Sequence, residues 1–117
     1  MKVLIVDDNE QMRQMIRSLL RDQVEEFYEC SDGAEAFHAY TRFRPDWVLM
    51  DLNMEDDGLA ATRRITADCP GAKVMIVTNF DDIHLRIAAQ DAGACGYVTK
   101  DNLLGLRELL SRLSEEN

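Results

Sequence analysis

The chain has 117 residues, 46% hydrophobic and 30% charged, enough for one domain that buries a core without cross-links. Its net charge of −9, from 22 acidic and 13 basic residues, argues against direct binding to nucleic acid or an anionic membrane, which needs clustered Lys and Arg. Cys30, Cys69 and Cys95 are odd in number and form no CxxC pair, so they read as reduced thiols, not a disulfide frame or zinc site.

Residues 2–6 are a short Val/Ile-rich run of the kind buried on both faces of a parallel sheet. The run is broken by Asp7 and too short for a signal peptide or membrane span, which with the thiols points to the cytoplasm. The period then changes. Met12, Met15, Ile16, Leu19 and Leu20 recur at helical spacing over 9–23, with Arg13, Gln14, Arg17 and Arg21 expected to face outward. A weaker strand at 25–30 suits a sheet edge. Ser31-Asp32-Gly33 punctuates before a second helix carrying Ala34, Phe37, Ala39 and Tyr40. Pro45 stops that helix, and a third strand runs from about Asp46 to Met50.

A polar loop, 53–58, leads to a helix over about 59–68, and Pro70-Gly71 turns the chain into a strand at 73–78. A fourth helix is expected over 82–91, ended by Ala92-Gly93, and a short fifth strand at about 95–98. The last helix carries Leu103, Leu106, Leu110 and Leu113 on one stripe, flanked by Leu104 and Leu109. Strict strand–helix alternation with buried strands implies a doubly wound parallel sheet with helices on both faces.

In such folds ligands bind beyond the carboxyl ends of the strands. Asp7 and Asp8 follow the first strand, Asp51 the third, Thr78 ends the fourth and Lys100 follows the fifth. Three carboxylates, a hydroxyl and an ammonium are thus expected to converge. Each close carboxylate pair costs on the order of 4 kcal/mol at an effective dielectric near 20, which a bound cation would relieve. Mg²⁺ suits the set, because it takes one or two carboxylates, keeps several waters and prefers oxygen ligands. Asp8 and Asp51 are expected as direct ligands, the Asn53 main-chain carbonyl as a third, and Asp7 through water. Asp51 would keep one oxygen as a nucleophile toward phosphorus, with Lys100 and Thr78 serving the phosphoryl oxygens.

These residues match a family. The stretches Leu4-Ile5-Val6-Asp7-Asp8-Asn9, Asp51-Leu52-Asn53-Met54-Glu55-Asp56-Asp57-Gly58, Thr78 and Tyr97-Val98-Thr99-Lys100-Asp101 resemble the receiver domain of bacterial two-component response regulators. Lys-Asp in place of Lys-Pro is most similar to the NarL/FixJ subfamily. The likeness covers nearly all of residues 1–117, as one receiver domain. It implies a (βα)5 flavodoxin-like fold with strand order 2-1-3-4-5 and Mg²⁺-dependent phosphoryl transfer from a histidine kinase or phosphotransfer protein to Asp51. The chain would catalyse only its own phosphorylation and dephosphorylation. It further implies a switch through Thr78 and Tyr97 that reshapes the surface of the fourth helix, fifth strand and last helix. A downstream effector domain or protein would read that surface, with homodimerisation on phosphorylation. The subfamily likeness favours a C-terminal DNA-binding domain, with transcription as the regulated output; a stand-alone receiver is the alternative.

Two positions depart from the family pattern. Glu55 stands where proline is usual, and Asn79 follows the hydroxyl position in place of a small residue, which predicts an altered acyl-phosphate lifetime. Other readings fit less well. A flavodoxin would need a Ser/Thr/Gly-rich phosphate cradle where this chain has Asp7-Asp8-Asn9-Glu10, and an aspartyl phosphatase a second acid at Asn53. A degenerate interaction module conflicts with the intact site. His38 and His84 read as surface or packing residues and receive no role.

Overall fold

A computed structural model describes residues 1–52 and 58–115. The strands β1 (Lys2–Val6), β2 (Glu26–Cys30), β3 (Trp47–Met50), β4 (Val74–Thr78) and β5 (Gly96–Thr99) alternate with α1 (Glu10–Leu20), α2 (Gly33–Phe43), α3 (Gly58–Asp68), α4 (Ile83–Asp91) and α5 (Leu103–Glu115). A single 3₁₀ turn, Lys100–Asn102, joins β5 to α5. All strand pairs are parallel, in the order β2-β1-β3-β4-β5, as the resemblance implies.

The pleat decides the layers. Leu4 and Val6 point to one face, where they meet Tyr40 of α2, Ile65 of α3 and Ala89 of α4. Val3 and Ile5 point to the other, against Ile16 and Leu20 of α1 and Leu106 and Leu110 of α5. The expected leucine stripe is therefore core at its centre; Leu103 and Leu113 close its ends, and Leu104 stands 67% exposed. β2 is an edge strand, and so is β5.

Helix ends follow local chemistry. Asn9, Asp32 and Asp82 each accept a main-chain N–H from the first turn of α1, α2 and α4. α1 stops at Leu20, three residues before the expected end, and its last carbonyl is satisfied by the N–H groups of Gln23 and Val24. α2 closes on Arg44, which takes the left-handed conformation (φ 48°) and donates its N–H to Tyr40 before Pro45. Its guanidinium lies over the Tyr40 ring and donates to Cys69 Sγ at 3.0 Å, contacts that offset part of the backbone strain.

Two expectations on α1 fail. Met15 is 54% exposed despite its helical spacing, since Ile16 and Leu20 already fill the sheet-facing stripe. Arg13 does not face outward: its side chain is 16% exposed and turned toward the end of β1.

Candidate functional site

β1 and β3 are neighbours with Val6 opposite Met50, so the next residue on each strand, Asp7 and Asp51, stands side by side at the carboxyl edge. The ladder is anchored there by Asp51 N–H donating to the Val6 carbonyl and Asp7 N–H donating to Cys30. Asp7 and Asp51 are almost fully buried and Asp8 is exposed. One carboxylate oxygen from each of the three lies within 4.8 Å of the others. Thr78 opposes Thr99 across β4–β5, and Lys100 follows directly. The chain thus enters the pocket with its ammonium 2.9 Å from Asp7 Oδ2 and 3.3 Å from Asp51 Oδ1. Burying two carboxylates is tolerable only with such a partner, and the third still leaves the pocket two formal negative charges in excess.

That excess, made wholly of oxygen donors with one of them open to solvent, fits a small hard divalent cation that keeps part of its water shell. Asp7, Asp8 and Asp51 are the described residues that could hold it. Asn53 and Glu55 lie outside the described residues. Close packing under the pocket restricts its floor: a Cβ on Gly58, the first residue of α3, would stand 2.4 Å from the Asp51 carbonyl oxygen. Cys30, whose carbonyl receives Asp7, carries a thiol that burial pushes up to about 12, so it is chemically inert near neutrality.

Thr78 is fully buried and accepts a long bond, 3.4 Å, from the Phe80 N–H. The Phe80 carbonyl in turn accepts the Tyr97 hydroxyl at 2.6 Å. One peptide segment therefore joins the hydroxyl at the end of β4 to the aromatic ring on the edge strand. Arg86 of α4 lies 4.5 Å over that ring while its guanidinium pairs with Asp81. Tyr97 is half-buried, and desolvation raises its phenol above the ordinary value against the opposing pull of Arg86. His38 and His84 are both exposed.

Sequence reasoning missed Arg13 and Arg86. Residues 13, 16 and 20 share a helix face, and that spacing was the available signal for Arg13. Arg86 had none, because its partner ring lies on another element.

A parallel sheet of this order, carrying an acidic pocket and a lysine at its carboxyl edge, defines a flavodoxin-like α/β domain with a site suited to a cation and a phosphoryl group. Residues 3–114 match the family model of the response regulator receiver domain, and the chain belongs to that family. The transcriptional regulatory protein LnrK of Bacillus subtilis is 37% identical over 103 residues, 86% of this chain and 47% of LnrK. The chemotaxis protein CheY of Halobacterium salinarum is 38% identical over 100 residues, 85% of this chain and 83% of CheY. Among solved structures, a LuxR-family two-component response regulator from Aurantimonas superposes with a TM-score of 0.83 at 31% identity, covering 93% of this chain and 83% of that one. The chain spans about half the length of LnrK. No helix of the described residues is long and apolar enough to cross a membrane.

Proposed function

We propose that residues 1–117 form one receiver domain that accepts a phosphoryl group on Asp51 from the phosphohistidine of a histidine kinase or phosphotransfer protein. The observation that carries this reading is the buried Asp51 carboxylate, set beside Asp7 and Asp8 and touched by the Lys100 ammonium. An Asp51 oxygen attacks phosphorus in line. The O–P bond forms as the P–N bond to the imidazole breaks, and the imidazole leaves with the electron pair and takes up a proton. Lys100 meets the charge on the phosphoryl oxygens, and the Thr78 hydroxyl donates to one of them. Asp8 and Asp51 would hold Mg²⁺ directly, with Asp7 through water and the Asn53 carbonyl as the further ligand. When bound, the metal neutralises charge on the oxygens around phosphorus. Water later cleaves the acyl phosphate. The chain acts only on itself, not as a turnover enzyme, and Asn79, exposed directly after Thr78, sets the access of that water.

Drawing Thr78 toward the phosphoryl group gives up its long bond from Phe80, which moves the acceptor of the Tyr97 hydroxyl and lets the ring turn inward. The surface of α4, β5 and α5 then changes for an effector. The length and description of LnrK favour a C-terminal output domain that controls transcription, with dimerisation on phosphorylation. A second reading, a stand-alone receiver acting by protein contact, is favoured by CheY, which the match covers over most of its length. A kinase partner and three reduced thiols fit action in the cytoplasm.

Intact mass after incubation with acetyl phosphate or a phosphorylated histidine donor tests the reading. A Mg²⁺-dependent gain of one phosphoryl group, lost in Asp51→Asn, is expected. No gain from either donor would reject it.

A further inference from the structure

We infer that Arg13, anchored by Glu29 on the edge strand β2, is a positioning residue for the cation site, an inference that rests on the receiver reading above. β2 ends at Cys30 and the chain turns away at Ser31-Asp32, so the ladder that serves Asp7 N–H ends there. The Asp7 carbonyl instead receives Arg13 Nη1 at 2.6 Å, a charge-assisted bond in a part-buried setting. The other edge of the same guanidinium, Nε, donates to Glu29 Oε1 at 2.9 Å. Glu29 Oε2 is taken by Arg17 Nη1 at 3.2 Å, so the carboxylate is held from both sides.

The carbonyl that Arg13 grips belongs to the peptide joining Asp7 to Asp8. Fixing that peptide plane fixes where the Asp8 chain leaves the backbone. Two further bonds support the turn, Asn9 N–H to Asp7 Oδ1 at 2.8 Å and Met12 N–H to Asn9 Oδ1 at 3.1 Å, and both arise from the turn and the helix cap. Arg13 alone among these ties the acid pair to a different strand. A cation that demands near-ideal octahedral geometry is sensitive to such placement, and outer partners of metal ligands contribute about 10–100-fold in affinity.

Charge and position make opposite predictions. Removing a positive charge beside an acidic pocket tightens cation binding if charge is all that matters. Loss of positioning weakens it. Isothermal titration of Mg²⁺ into the whole chain separates the two. Arg13→Gln is expected to weaken binding about tenfold, and Arg13→Lys, which can reach the carbonyl or Glu29 but not both, to recover part of it. The double variant Arg17→Gln/Glu29→Met leaves net charge unchanged and removes the acceptor that holds Arg13 Nε; it is expected to weaken binding in the same direction, whereas Arg17→Gln alone, which keeps the Arg13–Glu29 pair, does not weaken it. Melting without Mg²⁺ checks that each variant folds, and the double variant decides the matter where Arg13→Gln does not fold. Binding by the double variant or by folded Arg13→Gln as tight as wild type overturns the inference and leaves the receiver reading standing. Absence of Mg²⁺ binding by wild type overturns both.

Discussion

At the scale of single residues the pocket is a problem in charge. Lys100 is the ammonium that makes the burial of Asp7 and Asp51 tolerable, and neither acid keeps enough water to be solvated alone. Lys100→Met is therefore expected to destabilise the fold by about 3–5 kcal/mol, the usual cost of breaking a buried pair from one side. Asp51→Asn works the other way. It relieves two like-charge contacts at the loss of one ammonium contact, and after screening at the exposed Asp8 a gain on the order of 1–2 kcal/mol is expected. Urea unfolding at pH 7 in EDTA measures both; a destabilised Asp51→Asn would mean that the carboxylates are not in repulsion. At Asn79 the expected outcome is kinetic: the acyl phosphate of Asn79→Ala decays at a rate different from wild type, and equal lifetimes would remove that residue from the account.

At the scale of elements, two contacts between helices and their neighbours set the behaviour of whole segments. Arg107 of α5 grips Asp22 through Nη1 and Nη2, each at 2.6 Å, and donates to the Leu19 carbonyl, tying α5 to the end of α1. The hydrogen bond from Arg107 holds the Asp22 carboxyl below its ordinary 3.8. A depressed carboxylate contributes stability above its unfolded value and loses it as pH falls through the folded one. The stability gap between wild type and Asp22→Asn is thus expected to be open at pH 7, to close below about pH 4, and to shrink with salt because the pair is exposed. A gap independent of pH would show that the pair contributes through packing alone. On the opposite face, Arg86 holds the Tyr97 ring from above while Asp81 holds Arg86. Arg86→Ala removes a cation–π contact of about 0.5–1 kcal/mol and is expected to shift Tyr97 toward its inward position in the unphosphorylated protein. Fluorotyrosine NMR would register the shift, and an unchanged Tyr97 resonance would rule out restraint by Arg86.

At the scale of the molecule, the sheet order places the site. Strand order reverses between β1 and β3, with α1 and α5 on one face and α2, α3 and α4 on the other, so the crevice opens where Asp7, Asp8 and Asp51 stand. A cation held there would bind the folded chain and not the unfolded one. At a hundred times its dissociation constant, Mg²⁺ should add about 2.7 kcal/mol to stability, near 10 °C in melting temperature for a domain of this size. The rise should be reversed by EDTA and reduced in Asp8→Asn; a melting temperature indifferent to Mg²⁺ would contradict the cation site.

The sequence by itself determined the element order, the two-faced core and the positions of Asp7, Asp8, Asp51, Thr78 and Lys100 at strand ends. Those features are local: a buried Val/Ile run reads as a strand, a cap residue as a helix start, and a carboxylate directly after a strand has one edge on which to lie. Only the tertiary structure decided that Arg13 turns inward, that Met15 stays in solvent, that Arg86 covers Tyr97 and that Arg44 adopts the left-handed turn. Long side chains have many rotamers of similar energy, and their choice is made by partners from other elements, here Glu29, Tyr97 and Cys69, that meet them only after the sheet has assembled.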